Sequence, residues 1–275
     1  MIYDQRSALS TYMADRLSVG QIVFTSDQAK EALHIAQGAF LDASERLQKR
    51  KHLLNPRKGF YVIVPPQFAK WGAPPPAWYI DALMHHEGEA YYVGLLKAAE
   101  MHGATHQAVM EFQVVSGKRL PKIRAGRNLI VFYYRKDMQP VAGGLEPHKT
   151  DTGSMMISSV ELTALDLLRY PKAAGGLSNI ATVLTDLGPK IDPEKLASLS
   201  RSTEKPVVQR LGYLLDRLGF KDRAEAMHAA LTERGMPPWT ELDRSEIRDP
   251  DFTPEPCEKN ARWRVIVRRA PEVDE

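Results

Sequence analysis

Across residues 25–64 the spacing of apolar positions changes twice, from one helical stripe to a second across a short break, and then to the spacing of strands. Thr25 is followed three positions later by Gln28, so hydroxyl and amide can each satisfy an orphan N–H of a helix that the pattern carries to about Leu33. His34 and Ile35 break it. A second helix is predicted over residues 36–49, where Ala36, Phe40, Ala43 and Leu47 form one apolar stripe at about 100° per residue. The opposite side carries Gly38, Leu41, Asp42, Glu45, Gln48 and Lys49, flanked by Gln37 and Arg46. Leu53-Leu54 and residues 60–64 read as two strands around the turn-prone Asn55-Pro56-Arg57-Lys58-Gly59. Upstream, Leu9, Met13 and Leu17, with Tyr12 beside them, space a first helix over about residues 5–17. Three helices and a hairpin in this order make a winged helix-turn-helix, whose last helix enters the major groove and whose hairpin loop is the wing.

Pro65-Pro66 and Pro74-Pro75-Pro76 interrupt regular structure and mark residues 65–76 as a linker or extended crossing segment. Beyond it, helices are expected near residues 77–86 and 91–102, and strands at 112–115, 122–124 and 128–134. Ser158 followed by Glu161 is a second capping box, opening a helix through Leu162, Leu165 and Leu168 that stops before Pro171. Leucine-rich stripes then predict a helical bundle over about residues 176–234, with Gly188 and Gly219 ending two of its helices. Residues 241–258, with seven carboxylates against two arginines, read as a surface excursion. Arg262-Trp263-Arg264-Val265-Ile266-Val267 reads as a strand, and because a lone strand must pair it is expected to return to the α/β sheet. The expected fold class is α/β (α+β): residues 1–64 a winged helix-turn-helix, 65–76 a Pro-rich linker, and 77–275 an α/β domain with a C-terminal helical portion and terminal strand.

Charge changes this picture from architecture to a partner. Residues 1–64 hold nine Lys and Arg against six Asp and Glu, and the remainder holds twenty-eight of each, so the whole net charge of +3 resides in the N-terminal segment. From Arg46 to Lys58 there are six cationic residues and no carboxylate, as phosphate neutralisation requires. The expected double-stranded DNA contacts are Gln37, Gly38, Leu41, Asp42, Glu45, Arg46, Lys49, Arg50, Arg57 and Lys58. Asp42 and Glu45 repel phosphate and help only by accepting from cytosine N4, so part of the reading is expected to fall to the wing. A second carboxylate-free run, residues 112–136, interleaves Lys118, Arg119, Lys122, Arg124 and Arg127 with Phe132, Tyr133 and Tyr134. Strand alternation puts Phe132 and Tyr134 on one side and Tyr133 on the other. This patch is read as an added nucleic-acid face or as a charged sheet edge.

The 275 residues suit two domains, and 43% hydrophobic with 26% charged residues excludes wholesale disorder. No signal-like start or membrane-length apolar run is present, and the single cysteine, Cys257, excludes an internal disulfide and fits a reducing compartment, so a cytoplasmic protein without membrane contact is expected. His85, His86, Glu87 and Glu89 cluster in sequence, and His102 and His106 have the spacing of a helical metal pair. Gly103 breaks that helix first, however, and no Glu stands beside His102. Glu111-Phe112-Gln113 resembles one end of a metal-dependent nuclease site without its companion carboxylates. No metal, cofactor or catalytic residue is expected. The rival from another class is a winged-helix-targeted nuclease.

Six segments together resemble the AbiEi family, bacterial antitoxins of abortive-infection (type IV) toxin-antitoxin systems that double as transcriptional regulators. They are Arg57-Lys58-Gly59-Phe60-Tyr61-Val62-Ile63, Gly72-Ala73-Pro74-Pro75-Pro76, Tyr92-Val93-Gly94-Leu95-Leu96 ending in His102-Gly103, Glu161-Leu162-Thr163-Ala164-Leu165-Asp166-Leu167, Gln209-Arg210-Leu211-Gly212-Tyr213 and the Arg262-Trp263 strand. The resemblance implies an N-terminal winged helix that binds inverted repeats in the promoter of its own operon. It also implies a C-terminal domain that counteracts a toxin of the nucleotidyltransferase class, as part of phage defence and without enzymatic activity or cofactor. Asp42 and Glu45 depart from the basic recognition helix that the resemblance leads one to expect. A regulator without a toxin partner is the remaining alternative.

Overall fold

The computed structural model describes residues 8–104, 109–233, 235–247 and 253–272. Helices α1 (Ala8–Ser18), α2 (Ser26–Leu33), α3 (Gln37–Lys49), α4 (Ile80–Glu87) and α5 (Leu95–Met101) alternate with strands β1 (Val23–Thr25), β2 (Leu53–Arg57), β3 (Phe60–Ile63) and β4 (Tyr91–Val93). Strands β5 (Glu111–Ser116), β6 (Ile123–Ala125), β7 (Asn128–Tyr134), β8 (Leu145–Thr150) and β9 (Gly153–Ser158) follow. Helices α6 (Val160–Arg169), α7 (Leu177–Leu187), α8 (Pro193–Ser200), α9 (Lys205–Arg217) and α10 (Lys221–Thr232) then lead to the short strands β10 (Thr240–Glu241), β11 (Glu258–Asn260) and β12 (Val265–Val267).

The chain is mixed α/β and forms two compact units that do not follow sequence order. One comprises Met1–Tyr91, Met110–Lys136 and Pro147–Met156; the other comprises Tyr92–Val109, Asp137–Glu146 and Ile157–Glu275. Residues 77–91, 110–136 and 147–156 thus cluster with the winged helix.

In the first unit, Leu9 and Met13 of α1, Ala29 of α2, and Phe40, Ala43 and Leu47 of α3 close on Phe24, Leu53, Tyr61 and Ile63 of the three-stranded sheet β1-β3-β2. The rings of Phe24 and Tyr61 stack at 5.5 Å, and Phe40 meets Tyr61 edge-on at 5.2 Å. The capping box forms as expected: Thr25 Oγ1 accepts from Gln28 N, and Gln28 Oε1 accepts from Thr25 N. Ala36 is the N-cap of α3 and is exposed, so the apolar stripe of that helix begins at Phe40. Residues 5–7 of the predicted first helix lie outside the described residues.

The wing is shorter than predicted. Arg57 pairs with Phe60, which leaves only Lys58 and Gly59 as the turn, with Gly59 at φ +77°. The strand runs on through Asn55-Pro56 because a bulge there absorbs the proline, and Asn55 Nδ2 donates to Phe60 O where Pro56 has no N–H to give. Strand β1, too short to show alternation, was not anticipated. Further along the unit, β5 runs parallel to β7, and β6 pairs antiparallel with β7 through a turn at Gly126 and Arg127.

In the second unit, α6 is buried along nearly its whole length, including Glu161, Thr163 and Asp166. The cap lies one residue later than expected. Ser159 accepts from Leu162 N, while Ser158 Oγ is tied to Thr163 Oγ1 at 2.6 Å. Residues 91–93 form a strand rather than the start of a helix, since two tyrosines and a valine favour the extended chain and Gly94 continues it. Four helices cover residues 177–232 of the expected bundle. The terminal strand does not return to the α/β sheet: β12 lies between β10, parallel, and β11, antiparallel, in a separate small sheet whose other two strands stand at the two ends of the acidic segment. Its pairing requirement is met locally, which strand propensity alone could not reveal.

Candidate nucleic-acid interface

One side of α3 is buried by its apolar residues, and the rest of the helix faces outward. Gln37, Gly38, Asp42, Glu45, Arg46 and Lys49 are exposed, as are Arg50 and Lys51 just after it, and Leu41 leaves 47% of its surface open. The N-terminus of α3 has no side-chain cap, so its first N–H groups remain available to an acceptor. Glu45 is neutralised locally. Lys49 Nζ lies 2.7 Å from its carboxylate, and this hydrogen bond together with the charge of Lys49 holds the Glu45 carboxyl below its ordinary range. The ion pair also engages Lys49, so Arg46 and Arg50 are the helix-borne cations best placed for phosphate. Arg46 uses Nε on the Asp42 carbonyl, which fixes the root of the guanidinium.

The wing residues divide. Lys58 is exposed at the turn, its carbonyl bonded to His86 Nε2 at 3.0 Å. Arg57, expected at the DNA face, is directed into its own unit. Its Nε lies 3.0 Å from Glu87 Oε1, both side chains being about 15% exposed, Nη2 donates to Pro121 O, and the guanidinium lies 5.5 Å from the Phe132 ring. This residue fastens the wing to α4 and to the segment before β6, a role with no local signature because its partners lie far along the chain. Replacing Arg57 by Ala leaves Glu87 nearly buried without its counter-ion and is expected to cost about 2 kcal/mol of stability. The salt dependence of DNA binding should be unaltered. Urea unfolding with a double-mutant cycle against Glu87→Gln checks this, and an additive cycle would refute the pairing.

The second basic run belongs to the same unit, where β6 packs beside β2. Lys118, Arg119, Lys122, Arg124 and Arg127 are all exposed, whereas Arg135 is buried. The predicted alternation in β7 holds. Arg57 and Arg119 lie over Phe132 and Tyr134 respectively, while half-buried Tyr133 donates to Glu111 and has its hydroxyl pKa raised by burial and by that carboxylate. Glu111 is thereby engaged, and Gln113 is buried. Among the described residues no three His, Cys, Asp or Glu side chains are placed to hold a metal. His102 Nε2 is hydrogen-bonded to Ser158 O within the second unit, and His106 lies outside the described residues. A cleft of about 310 Å³ in the first unit is lined by Arg16, Trp78, Asp81 and Thr152. These groups already serve the fold: Arg16 donates to Val23 O, Tyr91 to Asp81, and Thr152 to Trp78 O.

In the second unit the sequence motifs prove to be packing devices. Buried Tyr92 donates to buried Asp166 at 2.5 Å, and Glu161 accepts from Ser159 Oγ and from Asp192 N, with Lys195 3.6 Å away. Gln209 Nε2 donates to the carbonyls of Pro238, Trp263 and Arg264, and Arg210 to that of Glu241, so α9 carries the small terminal sheet. Tyr213 donates to Glu258, and burial first and then this carboxylate push its hydroxyl pKa up to about 12.

Among the described residues no helix is long and apolar enough to cross a membrane. The chain is similar in fold to a solved structure, the RV2827C protein from Mycobacterium tuberculosis, at a TM-score of 0.66 and 18% identity, covering 96% of this chain and 93% of that one. No curated protein matches it. The family model that matches is the AbiEi antitoxin C-terminal domain, over residues 92–217, a span that includes the Tyr92, Glu161–Asp166 and Gln209–Tyr213 positions just described. Over residues 92–217 this chain is similar to the AbiEi antitoxin C-terminal domain family.

Proposed function

We propose that this protein is the antitoxin of a type IV toxin-antitoxin system, that it counteracts a nucleotidyltransferase toxin, and that it represses its own operon by binding promoter inverted repeats through the first unit. The observation that carries the DNA reading is the outward face of α3, where Arg46 and Arg50 are exposed and Glu45 is neutralised, next to a wing turn bearing Lys58. Phosphate contacts from these side chains position the helix, and Gln37, Gly38, Leu41 and Asp42 face the base edges. Lys118, Lys122 and Arg124 extend the footprint beyond the wing. The antitoxin reading rests on the family of residues 92–217.

The test separates the two activities. The full chain is co-expressed with the neighbouring nucleotidyltransferase gene in a host that the latter arrests, beside a variant carrying Arg46→Ala, Arg50→Ala and Lys58→Ala. Rescue of growth by both proteins, with retardation of the promoter fragment by the unaltered chain only, is the expected result. Failure of both to rescue would leave a DNA-binding regulator and remove the antitoxin assignment. Truncation at Pro65 is the poorer probe, because it strips Arg57 from Glu87 and Phe132 and opens the core of the first unit.

A further inference from the structure

Trp71 leaves 51% of its surface exposed although its backbone N–H and carbonyl are both hydrogen-bonded. Its N–H donates to Phe68 O, and its carbonyl accepts from Arg127 N across the β6-β7 turn. That turn admits only glycine at position 126, where a Cβ would stand 2.1 Å from Trp71 O at a φ of +57°. The ring leans on Phe68 at 5.7 Å, and Phe68 in turn meets Trp78 edge-on at 5.0 Å. The acid on this aromatic row, Asp151, accepts from Trp78 Nε1.

Charge decides what covers the ring. Lys70 and Arg127, both exposed, flank Trp71, one by sequence and one through the backbone hydrogen bond. Residues 46–80 contain no carboxylate, nor do residues 112–136. The fold joins these two runs at Arg57 with Pro121 and again at Trp71 with Arg127. An exposed aromatic ring with two exposed cations beside it along the backbone, on runs that carry no carboxylate, is complementary to an unpaired base with its adjoining phosphates. A duplex offers such a ring no open base face.

We infer that Trp71, with Lys70 and Arg127, forms a stacking site for unpaired nucleotides at the end of the basic surface, separate from the α3 face. The inference rests on the reading of the first unit as a nucleic-acid surface, but it concerns single strands and is measured apart from operator binding. In fluorescence anisotropy with labelled 20-mers of deoxythymidine and of uridine, Trp71→Ala should weaken binding about tenfold, and Trp71→Phe should retain most of the affinity. Lys70→Ala with Arg127→Ala should also weaken it and flatten its salt dependence. Duplex operator affinity of Trp71→Ala should stay within about twofold of the parent. A deoxythymidine preference would identify DNA as the source of the unpaired strand, and a uridine preference RNA. Equal single-strand binding by the parent and Trp71→Ala, both with the same unfolding midpoint, would overturn the inference. So would loss of toxin rescue by Trp71→Ala at unchanged oligonucleotide affinity, which would assign the indole to a protein partner. Unchanged operator binding by the α3 variant with the single-strand result intact would count against the α3 reading alone.

Discussion

The triple substitution Arg46→Ala, Arg50→Ala, Lys58→Ala is expected to lower operator affinity about a hundredfold near physiological salt. Each phosphate contact releases condensed counterion and contributes about 0.9 to the slope of log affinity against log salt, so removing three should flatten that slope by about 2.7. All three side chains are exposed, and none carries a share of the winged-helix core, so the unfolding midpoint should hardly move. Titrating the labelled promoter repeat at three salt concentrations gives affinity and slope together. A loss confined to the cognate sequence, with the slope unchanged, would show that these residues read bases instead of holding phosphates. An unchanged affinity would displace the DNA contact from α3 altogether. Adding Arg57→Ala should leave the slope where it was, because its guanidinium is held by Glu87, Pro121 and Phe132.

How far the sequence carries these expectations depends on whether the determining interactions are local. Thr25 and Gln28 stand one helical turn apart, and their reciprocal capping was readable because both partners lie in one short window. The stripe of Phe40, Ala43 and Leu47, and the opposite facing of Tyr133 from Phe132 and Tyr134, follow from backbone periods alone. Arg57 departs from its expected place for the opposite reason. A cation beside a Lys-Gly turn looks like a phosphate ligand until Glu87 and Pro121, thirty and sixty-four positions away, come to meet it. Gly126 likewise reads as an ordinary turn glycine, and only the approach of Trp71 O shows why a side chain is excluded there. The composition of the first unit was hidden in the same way, since residues 110–136 adjoin the winged helix through contacts that no periodicity encodes. The AbiEi motifs were legible as a resemblance but not as mechanics, because Gln209, Arg210 and Gly212 acquire their roles only when the terminal sheet lies against α9.

Substituting Trp263 by Ala should cost the second unit about 3–5 kcal/mol and abolish antitoxicity at growth temperature. The indole is fully buried, its Nε1 donates to Asp216 at 2.8 Å, and His228 meets it edge-on at 4.9 Å. Its ring lies so close over α9 that a Cβ on Gly212 would stand 2.2 Å from it. That closeness makes a sharper test than truncation alone. In a helix interior, Gly to Ala ordinarily gains about 1 kcal/mol from propensity. With Trp263 in place, the clash should reverse the sign, and Gly212→Ala should destabilise by about 1–3 kcal/mol as the ring is forced off its seat. With Trp263→Ala already present, the space is empty and the propensity gain returns, so the double variant should be more stable than Trp263→Ala alone. Urea unfolding of the four proteins reads the coupling directly. A Gly212→Ala cost of the same size in both backgrounds would mean that the glycine serves the helix for some other reason and that the ring does not rest on it. The predicted change of sign ties two motifs some fifty residues apart to one contact, through which α9 holds the terminal sheet.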